Sequence, residues 1–207
     1  EILKKLSERA RCALDVAEVK LRESDGEVPV FYRPEREAQV MRRMSKLNQG
    51  PLSNEKITQV YRQIMSACLA LEDPLKVAYL GPKGTFTQMA TIKQFGDSVV
   101  GMPLMTVDDV FREVTSESCH YGVVPVENST EGVINHTLDN FLDSNLRICG
   151  EVEIRVHHHL MVSPEATGEI KRIYSHQQTL GQCRRWLNGH YPNVERLTAS
   201  SNAEAAR

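Results

Sequence analysis

Apolar positions recur at helical spacing from Leu3 to Leu21, with no glycine or proline among them. The polar stretch SDGEVP at 24–29 interrupts that pattern. A second helical pattern runs from Pro34 to about Asn48, with Val40, Met41, Met44 and Leu47 as its apolar stripe and Pro34 suited to its first turn. NQGPLS then stops and restarts the chain, and Ser53 is a good N-cap. Ile57, Val60, Tyr61, Ile64, Met65 and Cys68 follow at i, i+3, i+4 steps, which makes one buried face of a third helix. Asp73-Pro74 ends it. The first 72 residues therefore read as helices only.

The pattern then changes to short apolar runs between amphipathic stretches. KVAYLG (76–81), YGVVPV (121–126), VEIRVHHHLMV (152–162), RIYSH (172–176) and NVERLTA (193–199) read as strands. Residues 86–95, 107–116, 135–144 and 178–189 read as helices. This alternation predicts an α/β domain with a largely parallel sheet. The division expected is a helical domain over 1–73 and an α/β domain over 76–207.

Composition narrows the function classes. Apolar residues make up 41% and charged residues 25%, ordinary for a chain with a core, and the net charge of −2 gives no support for bulk nucleic-acid binding. No apolar run approaches the roughly 20 residues that a spanning helix needs, so no membrane partner is expected. Five cysteines, odd in number and scattered with no CxxC pair, favour free thiols in a reducing cytoplasm. The chain starts and stops inside helical patterns, so a fragment of a longer protein is expected.

Candidate chemistry appears in both parts. Arg9 and Lys20 lie 11 residues apart, three turns or about 16 Å along one helix face. They form either a solvated basic stripe or two cations that grip a small dianion. Glu72 continues the apolar stripe at the last turn of the third helix. It is either a frayed end or a buried acid with a raised pKa, able to donate a proton. Arg36-Glu37 is a charged pair at the start of the second helix, of little value if exposed. In the α/β part, GPKGTF (81–86) is a strand-to-helix turn that could be structural or could cradle an anion. Glu127-Asn128-Ser129-Thr130 and Ser175-His176 with Gln178 and Gln182 gather polar groups at strand ends, where α/β sheets bind ligands. His157, His158 and His159 alternate faces in a strand, so the three cannot ligate one ion in regular geometry, and no metal is expected.

LSERARCALDVAEVK, FYRPERE and GPLSNEKITQVYRQIMSACLALE resemble the all-helical chorismate mutase domain over nearly all of residues 1–72. The resemblance implies a three-helix protomer in an intertwined dimer. It implies a Claisen rearrangement of chorismate to prephenate, with catalytic residues Arg9, Lys20 and Glu72 and further substrate contacts from Arg36 and Glu37. Arg9 would grip a carboxylate, and Lys20 a carboxylate and the ether oxygen. Arg36 would support the site electrostatically, Glu37 would take the substrate hydroxyl, and Glu72 would face the ether oxygen. Glu72 stands where many relatives have Gln, and Arg33 where relatives often have Asp. The start of the first helix, which in the family sends an Arg into the partner's pocket, is expected to be missing.

GPKGTFTQMA, GVVPVENSTEGVINHTLD and YSHQQTLGQC resemble prephenate dehydratase from about residue 76 onward. That family implies two α/β lobes, similar to periplasmic binding proteins, with prephenate in the cleft, losing CO2 and hydroxide to give phenylpyruvate. Asn128, Ser175 and Gln182 would line the pocket, Thr85 and Ser129 would contact the substrate, and Glu127 would support the site. Gln177 replaces a common Pro. The family's Thr-Arg-Phe acid motif and its phenylalanine-binding ACT domain are expected beyond Arg207, leaving the chain itself impaired. The fusion resembles bifunctional chorismate mutase/prephenate dehydratases of phenylalanine biosynthesis, with chorismate and prephenate as ligands, no cofactor, and phenylalanine as feedback inhibitor of the full-length protein only. The competing reading is a non-catalytic small-anion binding or regulatory module with a helical dimerisation unit.

Overall fold

The computed structural model describes residues 1–24, 31–128 and 132–206. Helices α1 (Ile2–Glu23), α2 (Pro34–Leu47) and α3 (Asn54–Glu72) come first, and α3 packs on both others. Their ends follow local chemistry. Ser53 caps α3 by accepting from the Lys56 N–H at 3.3 Å, Pro34 opens α2, and Asp73 closes α3 with its N–H on the Leu69 carbonyl. The stripes expected from periodicity are only partly covered. Met41 and Cys68 are buried, whereas Leu47, Val60 and Tyr61 are exposed. Three helices with one shared seam leave their outer apolar positions without a neighbour.

The α/β part runs β1 (Lys76–Leu80), α4 (Phe86–Phe95), β2 (Val100–Leu104), α5 (Val107–Thr115), β3 (Tyr121–Val123), β4 (Glu127–Asn128), β5 (Gly132–Val133), α6 (Asn135–Leu142), β6 (Arg172–His176), α7 (Gln177–Gln182), α8 (Arg184–His190), β7 (Glu195–Ala199) and α9 (Asn202–Ala205). Strands β2-β1-β3 form a parallel sheet, β6-β7 a second parallel pair, and β4-β5 a short antiparallel pair. Central β1 is covered on both faces, as parallel strands usually are. Val77 packs with Leu75 and Phe95 on one side, and Ala78 with Val110 and Cys119 on the other.

Three departures of the secondary structure from the sequence pattern have clear physical reasons. Residues 152–162 form no strand. Among the described residues no neighbouring strand takes their backbone groups, and the Glu153 carbonyl accepts from Lys93 Nζ at 2.8 Å instead. The helix expected over 178–189 is split at Cys183 into α7 and α8. Strand β2, with Gly101 and Pro103 inside it, carries a breaker-rich sequence. It is tolerated because β2 is an edge strand, where a missing N–H costs no ladder bond.

The two parts are joined by specific contacts. Arg62 of α3 donates to the Lys93 carbonyl at 2.8 Å, in the last turn of α4, where a cation meets the negative end of the helix dipole. The Asp97 N–H donates to Gln63 Oε1 at 3.1 Å. Tyr32 packs against both Phe95 and Tyr121, at 5.7 and 5.3 Å between ring centroids, and those two rings touch each other at 5.3 Å. Gly96 closes α4 with φ +85 and ψ 178, and a Cβ there would collide with the buried Ser66. Gly96→Ala therefore carries both a backbone penalty and a clash, and is expected to cost about 3 kcal/mol. A denaturant melt checks this, and an unchanged midpoint would refute it.

Candidate active sites

Lys20 sits at the C-terminal end of α1 and Glu72 at the last turn of α3, so the α1–α3 seam brings them together. Lys20 Nζ lies 3.8 Å from Glu72 Oε2, with side-chain exposures of 30% and 13%. Lys20 Nζ also stands 5.0 Å above the Phe31 ring, a cation–π contact that holds the amine over the seam. Burial pushes the Glu72 carboxyl up from its ordinary value, while the charges of Lys20 and Arg9 pull it down. Arg9 is thus within electrostatic reach of Glu72. A raised carboxyl favours the fold most when protonated. Its contribution is full below the unfolded value of about 4.3 and is lost as pH rises through the folded pKa. Two cations beside a carboxyl with a raised pKa can hold a dianion, and that carboxyl, when protonated, can donate a hydrogen bond to a neutral oxygen.

Arg36 is exposed. Glu37 is buried, and its Oε1 accepts from Arg62 Nε at 3.0 Å. Desolvation, reinforced by the nearby Glu37 carboxylate, drives the Tyr32 phenol above the usual tyrosine range. A buried carboxylate needs a charge partner, and Arg62 supplies it at the junction with α4. The groove of about 510 Å³ between α1 and α3, lined by Leu6, Ala10, Ile64, Cys68 and neighbours, is apolar and contains none of Arg9, Lys20 and Glu72.

The second cluster forms at strand ends. Gln182 Nε2 donates to Asn128 Oδ1 at 3.2 Å, and Gln182 Oε1 meets His158 Nε2 at 2.6 Å. The His158 ring lies edge-on to Phe86, with centroids 6.2 Å apart, so the GPKGTF turn borders this cluster. Ser175 Oγ and the His176 N–H both donate to Asn202 Oδ1, at 2.8 and 3.0 Å, and Asn202 Nδ2 donates to Thr179 Oγ1 at 2.8 Å. Ser175 keeps acceptor capacity on its hydroxyl once its proton is given to Asn202. The turn after β1 also faces α9, since a Cβ on Gly84 would lie 3.3 Å from Ala203. Thr85 serves the turn itself. Its hydroxyl donates to the Leu80 carbonyl at 3.2 Å and accepts from the Gln88 N–H at 3.4 Å. These two bonds cap the start of α4. Glu127 is exposed on β4, opposite Val133. Ser129 lies outside the described residues.

Two members of this cluster escaped the sequence pattern. Asn202 follows β7, beside the C-terminal end of β6 that holds Ser175, so polar residues at the ends of both strands would have flagged it. His158 lay in a run weighed only for metal binding, and among the described residues no group of His, Cys, Asp and Glu is arranged to hold a metal ion.

The matches to known proteins divide at the same place. Residues 77–207 match the family model described as prephenate dehydratase, and residues 1–73 the model described as chorismate mutase type II. The chain belongs to the prephenate dehydratase family, and the segment of α1, α2 and α3 that precedes its α/β part is similar to chorismate mutase type II. It is similar to a bifunctional chorismate mutase/prephenate dehydratase of Pseudomonas aeruginosa, 59% identical over 209 residues that cover 100% of this chain and 57% of that protein. A prephenate dehydratase of Bacillus subtilis is 34% identical over 64% of this chain and 48% of its own length. The solved structure of prephenate dehydratase from Arthrobacter aurescens in complex with L-Phe superposes with a TM-score of 0.50 at 30% identity, covering 64% of this chain and 45% of that one. The chain thus spans about half the length of the curated relatives it matches.

Proposed function

We propose that the protein carrying this chain rearranges chorismate to prephenate in its helical part and converts prephenate to phenylpyruvate in its α/β part, two steps of phenylalanine biosynthesis. The observation that carries the reading is that two family matches follow one another along the chain and each spans its own polar cluster. In the first, Arg9 and Lys20 grip the dianion while protonated Glu72 donates to the breaking ether oxygen, stabilising charge that develops only in the transition state. In the second, Asn128, Gln182 and Ser175 hold prephenate between two lobes of the periplasmic-binding type while aromatisation drives loss of CO2 and hydroxide. Arg36, Glu37, Thr85, Glu127 and Ser129 are further candidates, Glu37 for the hydroxyl of chorismate, Thr85 and Ser129 for prephenate, and Arg36 and Glu127 for supporting roles.

The test supplies chorismate to the whole protein and follows its loss together with phenylpyruvate gain. Heat of binding without product would favour a non-catalytic anion module and overturn the reading. A pH series adds a second check. Mutase activity should fall as pH rises through the raised pKa of Glu72, because the donor is the protonated acid. Glu72→Gln should flatten that dependence, and equal profiles would refute the role of Glu72.

An intertwined homodimer is supported by apolar residues left uncovered on α1, where Ile2, Leu3 and Leu21 are 78%, 75% and 58% exposed. Sedimentation should report twice the protomer mass. A cytoplasmic setting fits the free thiols, and among the described residues no helix is long and apolar enough to cross a membrane. Feedback by phenylalanine is proposed for the whole protein only.

A further inference from the structure

We infer that His158 is a positioning residue of the dehydratase cluster, which fixes the direction of the Gln182 amide so that the site presents N–H donors to an anionic ring. The inference rests on the dehydratase reading of this cluster and names a group that reading left out. An amide oxygen only accepts, so the 2.6 Å contact between His158 Nε2 and Gln182 Oε1 requires the imidazole proton on Nε2. With its oxygen held there, Gln182 must point Nε2 at Asn128, whose Oδ1 accepts it at 3.2 Å. Gln182 Nε2 carries a second N–H beside the one given to Asn128, a donor suited to a substrate carboxylate. Without the imidazole the Gln182 amide can rotate by half a turn, presenting oxygen where the ligand needs N–H. The edge-on Phe86 ring, 6.2 Å away between centroids, holds the imidazole plane.

Two substitutions in the whole protein separate this role from packing. H158F keeps a flat ring beside Phe86 and removes the donor, and H158Q returns an N–H. An interaction with a carboxylate that persists from bound substrate to transition state affects KM, not kcat. H158F is therefore expected to raise the KM for prephenate about 10-fold, the effect of one lost hydrogen bond, with kcat changed less than about 3-fold. H158Q is expected to restore KM to within about 2-fold, and neither substitution should alter mutase activity. A wild-type KM in H158F overturns the inference, as does an H158Q protein that behaves like H158F. The Gln182 side-chain carbonyl carbon supplies a readout free of activity. Its resonance in this chain should move in H158F and return in H158Q. If the native protein does not turn over prephenate, the dehydratase reading fails, while a resonance that stays in place in H158F defeats the positioning role by itself.

Discussion

Lys20→Ala in the whole protein is expected to lower mutase kcat/KM by about 10²- to 10³-fold while leaving dehydratase activity within about 2-fold. Lys20 is the cation nearest the acid of the helical cluster, 3.8 Å from Glu72 and only 30% exposed. A charged donor preset at developing charge, in a partly desolvated seam, contributes on the order of 3–4 kcal/mol to the transition state, which sets the expected loss. The rearrangement has no covalent intermediate, so no other step can compensate. Lys20→Arg should recover little. The ammonium sits above Phe31 at 5.0 Å in a space suited to a point charge, and a planar fork differs in reach and shape. Steady-state rates with chorismate decide the matter, and a loss smaller than about 5-fold would remove Lys20 from the catalytic set. The same substitution takes away the cation that most lowers the Glu72 pKa, so any residual activity should persist to higher pH.

Asn128→Ala is expected to lower dehydratase kcat/KM by about 10²-fold and to leave the mutase reaction unchanged. Gln182→Ala should cost a similar factor, and the two losses should not add. Gln182 orients through Asn128 at 3.2 Å, so removing either member already disables the pair. A double substitution close to either single loss is the expected result, measured as phenylpyruvate formed from prephenate. Full additivity would mean that the two amides act independently, contrary to the hydrogen-bonded arrangement.

Much of the helical part and of the strand framework was legible in the sequence. Its markers are short-range. Ser53 reaches Lys56, three residues on, Asp73 closes onto Leu69, four residues back, and Thr106 caps α5 through Asp109. Such contacts need only the residues that encode them, so periodicity and capping chemistry placed α1, α2, α3 and α4 well. Strand β2 was missed because Gly101 and Pro103 read as breakers, and only its place at the sheet edge makes them harmless. Residues 152–162 failed for the opposite reason. Their alternation is strand-like, but a strand exists only where a neighbour accepts its backbone groups.

The sequence by itself determined the two-part plan, the helix ends and the polar residues that follow β1 and β6. The tertiary structure alone decided which polar groups meet. Glu37 joins Arg62 across 25 residues, His158 joins Gln182 across 24, and Gln182 joins Asn128 across 54. No local pattern encodes such partners. The cost of burying a carboxylate or an amide is met by whichever donor packing brings within about 3 Å, and packing is a property of the whole fold.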